Sequence, residues 1–532
     1  MRKVYKIQIM ILILVMSVSF VSCGGEQSIA DDTSEPKFTA TPVAEDGTSE
    51  PVQGGILKLA TLKYDSLNPL TTDSEDIRCY MDLVYSDFIS LDYSGKPTGE
   101  VAESWESSEE CTSWLFNINS NIAWHDGGTL DAEDVISTIN YIKTKGGIYS
   151  ENVKYIKSFE AVDPLTVKII CTEPCSALPC MMTFPVLKKE SINTVGVVPV
   201  GSGMYAYSYT KSTVGKLVLE RFNDYYGNKP YISAVEINVC ASEEERYKAE
   251  SDFAVITDGV MNPSLIKDNI HTYRFAGNIL TLFYFNLNGD DNYAAVNDVN
   301  VRQAINSYMD RGTLMNAGAA GNAEPAVLPI IKGNFLISGD GASEESSCTA
   351  GDEYMKVAGY IKDDNGIWSK DGTVIDLVCI VPENDIEFLL LAEKLERDLE
   401  LKGISVTLKF CNSSDYANAI KNGTYSMAVA QISLAEWIDF KSIFKTGAAL
   451  NINSFSDDNI DSLIDSAMIS GENSVIYATY NDISVKLKEL LPVCCVYIKR
   501  QNVVVSDRLK GVAENGLYFW DVFNSVDKWY IE

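Results

Sequence analysis

The segment from Gly99 to Ile142, GEVAESWESSEECTSWLFNINSNIAWHDGGTLDAEDVISTINYI, constrains the fold more tightly than any other part of the chain. Trp114, Phe116 and Ile118 alternate with Leu115, Asn117 and Asn119, the period-two signal of a strand with one buried face. NSN and HDGG supply turn chemistry, because Gly127 and Gly128 can take positive φ without a Cβ clash. Asp131 stands where a helix N-cap is expected, with Asp134 three residues on in the position of a capping-box acid. Val135, Ile139 and Ile142 then recur at helical spacing. Read physically, the segment is a strand, a sharp turn and a capped helix.

The same segment resembles the signature of the family 5 extracellular solute-binding proteins, the peptide- and nickel-binding lipoproteins of ABC importers. Their pattern runs approximately lAeSWe.s.d...y.F.lr.gv.wHDGtplta.DV. VAESWE, LFNINSNIAWHDG and AEDVISTI match it in order and spacing. Gly128 and Asp131 depart from it, and Asp131 keeps the capping role. The resemblance implies an α/β fold of the periplasmic-binding-protein kind. It would be a two-lobe, class II clamp with the extra domain typical of peptide-binding members.

At 532 residues the chain is too long for one core and is expected to divide into two or three domains. A net charge of -31 argues against nucleic acid or an anionic membrane surface as a direct partner. Arg2, Lys3 and Lys6 precede an apolar run from Ile7 to Val21, broken by Gln8, Ser17 and Ser19. That reads as a secretion signal, since a spanning helix needs about 20 apolar residues. FVSCGG then resembles a lipobox, with Phe20 at the usual Leu. The expectation is cleavage before Cys23 and attachment of a diacylglycerol to its thiol; the alternative is an ordinary signal with an incidental cysteine. The protein would be extracytoplasmic, on the outer face of the cytoplasmic membrane or in the periplasm. Gly24 to Gln53 is polar, carries TSEP twice, at Thr33 and Thr48, and reads as a disordered tether. The twelve cysteines lack a disulfide-scaffold spacing. Cys171, Cys175 and Cys180 have neither a CxxC pair nor a nearby His, so a structural role is favoured over metal binding.

The expected layout is a signal peptide over 1–22 and a lipidated cysteine with its tether over 23–53. A lobe I core follows from 54–75, 196–278 and 500–532, with an extra domain of lobe I over 76–195 and lobe II over 279–499. GGILKLATLKYDSLNPL reads as a strand and a turn at Asn68-Pro69, and VKYIKSFEAVDPLTVKIICTEP as a strand pair turning at Asp163-Pro164. Gly201 and Gly203 allow a tight backbone path; a phosphate loop is excluded because no Lys-Ser/Thr follows. Val301, Ala304, Ile305 and Tyr308 give a helix an apolar face, capped by Asp298 or Asn300. Arg302 and Arg311 read as surface residues or structural ion pairs. Leu389 to Leu401 reads as an amphipathic helix closed by Gly403, ISVTLKF as a strand, and DYANAIKNGTYSMAVAQISL as a helix, a turn and a strand.

The resemblance also locates a ligand. In peptide-binding members a W..DY.dP..fl-like segment follows the strand corresponding to Met427–Leu434, and its first acid pairs with the peptide's α-ammonium. Alignment on Ser442-Ile443-Phe444 puts Glu436 at that acid and Asp439 at the second. Ser433 falls where the Trp usually stands, and Phe440 where the Pro does. The chemistry is sound, since an ammonium removed from water needs a carboxylate. By family position the peptide backbone would pair with strand edges around Leu62 to Tyr64 and around Gln431 to Ser433. Tyr416 and Trp437 would wall side-chain pockets. The bland alternatives are a solvated loop acid at Glu436 and core aromatics at Tyr416 and Trp437. The implied partners are a peptide or other small solute and the permease subunits of an ABC transporter. The receptor would be a monomer, with neither cofactor nor metal.

Other solutes fit the same fold. A nickel chelate is disfavoured because His125 and His271 are the only histidines and His125 belongs to the turn. An oligosaccharide would want an aromatic lining, which the tyrosine content permits. An enzyme is a different class. SIFKTG contains both SxxK and KTG, but the two motifs share Lys445, so Ser442 lacks the second lysine of penicillin-recognising enzymes. A receptor that signals without import remains a further class.

Overall fold

The computed structural model describes residues 51–256, 270–289, 292–337, 346–513 and 519–532. The signal segment, Cys23 and the tether as far as residue 50 lie outside the described residues. Gln53 accepts a hydrogen bond from the Arg221 guanidinium at 2.9 Å, and the Gly54 N–H donates to the Tyr231 carbonyl at 2.8 Å. Strand β1 (Ile56–Leu62) follows, with Leu57 and Leu59 fully buried. Helix α1 (Glu75–Met81) is capped by Ser74, whose side chain accepts from the Ile77 N–H.

The Gly99–Ile142 segment folds as its residues dictate. β2 (Ala102–Ser107) pairs with β3 (Ser113–Ile118), which turns Trp114, Phe116 and Ile118 inward. Gly127 and Gly128 take φ of +95° and +84° in the turn. Asp131 and Asp134 form the capping box of α2 (Ala132–Lys145), which buries Val135, Ile139 and Ile142. β4 (Ile156–Asp163) and β5 (Thr166–Cys171) complete an antiparallel sheet in the order β2-β3-β5-β4.

His125 is a structural ring. Its Nδ1 accepts from the Gly201 N–H at 3.3 Å, its Nε2 donates to the Gly203 carbonyl at 2.9 Å, and Phe222 meets it edge-on. Burial lowers it to about 4, against the Gly203 bond and Asp126. Close by in sequence, burial pushes the Glu100 carboxyl up to about 7, against hydrogen bonds from the Asp87 backbone, Ser86 and Tyr226. These two groups act oppositely on stability. From about pH 4 to 6.5 unfolded His125 binds a proton that the folded ring does not, so its contribution rises with pH, by up to about 3 kcal/mol. From about pH 4.5 to 7 folded Glu100 keeps a proton that the unfolded carboxyl loses, so its contribution falls with rising pH by a similar amount. Relative to wild type, urea midpoints of His125→Gln are therefore expected to fall with pH across this range, and those of Glu100→Gln to rise. Three parallel curves would refute both assignments.

An eleven-stranded sheet runs through the rest of the body. It takes in β6 (Tyr205–Tyr207), β7 (Lys216–Arg221), β8 (Ala234–Cys240), β9 (Phe253–Ile256), β10 (Ile270–Phe285), β11 (Asp376–Pro382), β12 (Ser405–Cys411), β13 (Met427–Ser433) and β14 (Val493–Ser506). The order is β12-β11-β13-β10-β14-β9-β1-β8-β7-β6, and Ala323–Pro325 pairs with β14 off this path. β10 and β14 are long antiparallel partners whose register slips between Ala276 and Leu280. At the slip a Cβ on Gly277 would lie 2.6 Å from the Lys499 carbonyl oxygen, so only glycine lets the two backbones come this close. The buried cores divide about that point. Leu57, Phe116, Phe253, Phe275, Val503 and Trp529 belong to one. Leu280, Leu282, Ile380, Ala428 and Cys495 belong to a second, and Phe283, Leu377, Val429 and Val496 to a third on the opposite face of the same strands. The chain is thus an α/β protein of two lobes joined by crossing strands.

The second lobe carries α3 (Val299–Tyr308), α4 (Ile386–Leu401), α5 (Ser413–Asn422), α6 (Phe440–Phe444), α7 (Asp458–Met468) and α8 (Asn473–Leu490). Asp298 caps α3 by accepting from the Asn300 N–H, and Val301, Ala304, Ile305 and Tyr308 are buried. α4 ends before Gly403, at φ +90°, and α5 before Gly423, at φ +65°. The expectation for Arg302 and Arg311 is corrected. Both are buried, and their hydrogen bonds go to carbonyl and amide oxygens rather than to carboxylates. Arg302 donates to the Leu490 and Leu491 carbonyls at the end of α8 and to those of Val296 and Asn297. Arg311 donates to the Ala326 and Cys495 carbonyls and to Asn306 Oδ1. Carbonyls at a helix end have no intrahelical partner, and a guanidinium fork satisfies several at once. The described cysteines are free thiols, all buried except Cys348 and Cys411. Among the described residues no cluster of His, Cys, Asp or Glu could hold a metal ion.

Candidate ligand-binding site

β13 ends at Ser433, and a short loop leads to α6. Asp439 caps α6: its Oδ1 accepts from the Ser442 N–H at 3.0 Å, and its Oδ2 from the Ser442 hydroxyl at 2.6 Å. Glu436 lies in the loop opposite Thr183, whose hydroxyl donates to Glu436 Oε2 at 2.7 Å. Thr183 stands between Met182 and Phe184 of the first core, so this bond crosses from one core to the other.

Other contacts close the same seam. Lys154 Nζ donates to Asp439 Oδ2 at 3.1 Å, with Glu151 at 3.2 Å and the Tyr155 and Trp437 rings nearby. Burial would lower the Lys154 ammonium, but Asp439 and then Glu151 outweigh it and hold it above its ordinary value. Lys441 pairs with Glu173 at 2.6 Å. Ser176 donates from its N–H to the Met468 carbonyl at 3.0 Å and from its hydroxyl to the Ala467 carbonyl at 2.8 Å. The open carbonyl end of α7 is therefore satisfied from across the seam.

Tyr149 is a buried hydroxyl that carboxylates of this region act on. Burial holds its hydroxyl well above the usual tyrosine range, and Asp87, Asp82 and Glu436 add to this, with Arg78 opposing. Carboxylates from both sides of the seam thus act on one hydroxyl. Trp437 and Ile438, which follow Glu436 in the loop, border a cavity of about 260 Å³. Trp105, Trp114, Pro179 and Cys180 line it from one side, and Phe335, Leu336, Trp437, Ile438, Ile476 and Tyr480 from the other. That is near the small end of ligand pockets, roughly 300–1,000 Å³.

The residues singled out from sequence separate into groups. Glu436, Asp439 and Trp437 stand together at the seam, but Asp439 is occupied by the helix cap and Lys154. Ser433 is exposed and accepts from Asn278 Nδ2 at 3.0 Å. Tyr416 donates to the Val429 carbonyl at 2.8 Å and packs on the second core. Tyr64 packs on the first core, its hydroxyl raised by burial and then by Tyr207. Neither tyrosine lines the cavity. β13 pairs with β10 along its length but with β11 only at Met427 and Ala428. Beyond Ala428 its second edge has no strand partner among the described residues, and β1 pairs no further than Leu62. Ser442 and Lys445 serve different acids, Asp439 and Asp465. Sequence reasoning missed Thr183 and Lys154, which only the folded chain brings to the loop after β13, and Tyr149, on which Asp82, Asp87 and Glu436 act; no local pattern marks any of them.

The profile of the bacterial extracellular solute-binding proteins, family 5 (middle region), matches residues 96–447. The oligopeptide-binding protein AppA of Bacillus subtilis (strain 168) is 21% identical over 565 aligned positions, covering 100% of this chain and 99% of its own. The unliganded open form of the periplasmic murein tripeptide-binding protein MppA superposes with a TM-score of 0.77 at 17% identity, over 91% of this chain and 99% of that one. NikZ from Campylobacter jejuni in complex with Ni(L-His) gives 0.60 at 19% identity, over 89% and 99%.

Proposed function

Because the chain belongs to the bacterial extracellular solute-binding proteins of family 5, we propose that it is the receptor of an ABC importer and that its solute is a short peptide held by the α-ammonium at Glu436. The observation that carries the peptide is the Glu436 carboxylate, held by the Thr183 hydroxyl across the seam. An ammonium sequestered there exchanges water for carboxylate oxygens. Beyond Ala428 the edge of β13 that has no strand partner among the described residues offers backbone groups to an extended peptide. Closing the lobes over the ligand and reopening them is the receptor's work, with the slip in β10 and β14 at Gly277 as the flexing point. This reading keeps the lobe layout proposed from sequence and takes the receptor to act as a monomer that hands its peptide to membrane permease subunits.

Titration calorimetry with trialanine and with N-acetyl-trialanine tests the ammonium site. The free peptide is expected to bind one to one, and acetylation to weaken it at least about 30-fold. Equal affinities would remove the ammonium from the recognition. An oligosaccharide is the second reading, favoured by the tryptophans of the cavity; its binding would be indifferent to Glu436. A nickel chelate finds little support, since both nitrogens of His125 are engaged and His271 pairs with Asp507 at 2.8 Å. No helix among the described residues is long and apolar enough to cross a membrane, and Cys23 supplies the lipid anchor in this reading. Cys23→Ala is expected to abolish incorporation of labelled palmitate and to release the protein from the membrane fraction; unchanged labelling would exclude Cys23. A deletion strain that kept uptake but lost a response to peptide would favour sensing over import.

A further inference from the structure

The cavity beside Glu436 has a chemistry unlike that of the carboxylate corner. Its aromatic walls come from both lobes: Trp105 and Trp114 from the β2–β3 hairpin, Trp437 from the loop before α6, and Tyr480 from α8. Trp114 spends its N–H on the Cys175 carbonyl at 3.2 Å, and the Tyr480 hydroxyl faces the Ile438 carbonyl at 3.5 Å. Their rings, not their polar tips, are left to the cavity. Ser107, Ser176, Asn334 and Asn473 add uncharged polar groups to the lining, and its charged residues, Lys96 and Glu106, are both exposed. The Cys180 thiol, which also lines it, is pushed up to about 12 by burial and then by Glu436, so it carries no charge. A charged group deep in this space would find no counterion and would lose its hydration uncompensated. A flat apolar ring would instead leave water and meet aromatic faces and edges on two sides.

We propose that this cavity takes an uncharged aromatic side chain of the bound peptide and thereby sets the receptor's side-chain preference. This rests on the peptide reading above. Because the walls belong to both lobes, a ring placed there contacts both only when the seam is shut, so its binding energy favours the closed state. Recognition is divided in two. The carboxylate corner reads the ammonium that every unblocked peptide carries, and the cavity selects among peptides.

Calorimetric titration with Phe-Phe, Ala-Ala and Glu-Glu tests the division. Phe-Phe is expected to bind about tenfold tighter than Ala-Ala, and Glu-Glu more weakly than either. Ala177 lines the cavity, and Ala177→Phe puts a ring of the protein's own into it. The ratio of Phe-Phe to Ala-Ala affinity should then fall to near one, with a thermal midpoint confirming the fold. Ile476→Ala opens the opposite wall and should raise affinity for Trp-Trp relative to Phe-Phe. A wild-type ratio near one, or a tenfold ratio that survives in folded Ala177→Phe, overturns the proposal. If Ala177→Phe does not fold, Ile476→Ala decides, and an unchanged Trp-Trp to Phe-Phe ratio overturns it. If neither these dipeptides nor trialanine binds, the peptide reading fails, and N-acetylphenylalanine amide then decides for the cavity alone. A saturable change in tryptophan fluorescence that Ala177→Phe or Ile476→Ala alters supports an aromatic site, and no change overturns it.

Discussion

Replacing Glu436 with alanine is expected to weaken binding of an unblocked short peptide by about 2–5 kcal/mol, roughly 30-fold to several thousand-fold in Kd. The size follows from what is left behind. The ammonium would still be drawn out of water into the seam, but without the carboxylate that offsets its desolvation. Thr183 holds Glu436 Oε2 at 2.7 Å, so the acid is oriented before the ligand arrives and little ordering is charged to binding. The prediction is specific enough to separate recognition from damage. With an N-acetylated peptide the wild type and Glu436→Ala should bind alike, because the interaction removed by mutation is already removed by acetylation. A variant that lost affinity equally for both peptides would point to a distorted seam, and one that lost none would take Glu436 out of the site.

Gly201→Ala is expected to cost about 3–5 kcal/mol of stability, among the largest effects of any single substitution. A Cβ there would lie 1.8 Å from the Val84 carbonyl oxygen, far inside contact distance. The two backbones cannot part cheaply. The Gly203 N–H donates to the Val84 carbonyl at 2.8 Å, Tyr205 N–H to Leu83 at 2.9 Å, and His125 N–H to the Gly201 carbonyl at 2.9 Å. Relief of the clash breaks these bonds and disturbs the segment that carries Asp82 and Asp87. Gly215→Ala is the matched control: nothing lies within 4 Å of its would-be Cβ, and the change should stay within about 0.5 kcal/mol of wild type. Urea unfolding of the three proteins measures both values. Coincident midpoints for Gly201→Ala and wild type would mean that the close approach is absent in solution.

What the sequence disclosed was local. The alternation in β3, the glycines of the turn and the capping box of α2 are each written within a few residues, and each formed as read. The tight path at Gly201 was legible as a need for glycine, but its partner, Val84, was not. Arg302 and Arg311 were misread because their partners are carbonyls, which every residue has and no pattern marks. The seam was legible on one side only. Family resemblance pointed to the loop at Glu436, whereas Thr183 stands 253 residues away and Lys154 285 residues from Asp439. Composition could not tell Tyr416, which packs on the second core, from Trp437, which packs against the first core and also lines the cavity, because an aromatic serves a core and a pocket wall equally well.

The most direct test is native mass spectrometry of the protein purified without denaturation from its own cells. A noncovalent mass increment equal to a single short peptide is expected, lost on gentle activation and restored by incubation with a mixed pool of di- to pentapeptides. A protein that stays bare in the presence of that pool, or that converts the peptides into new species, would contradict a receptor that closes on a peptide and releases it unchanged.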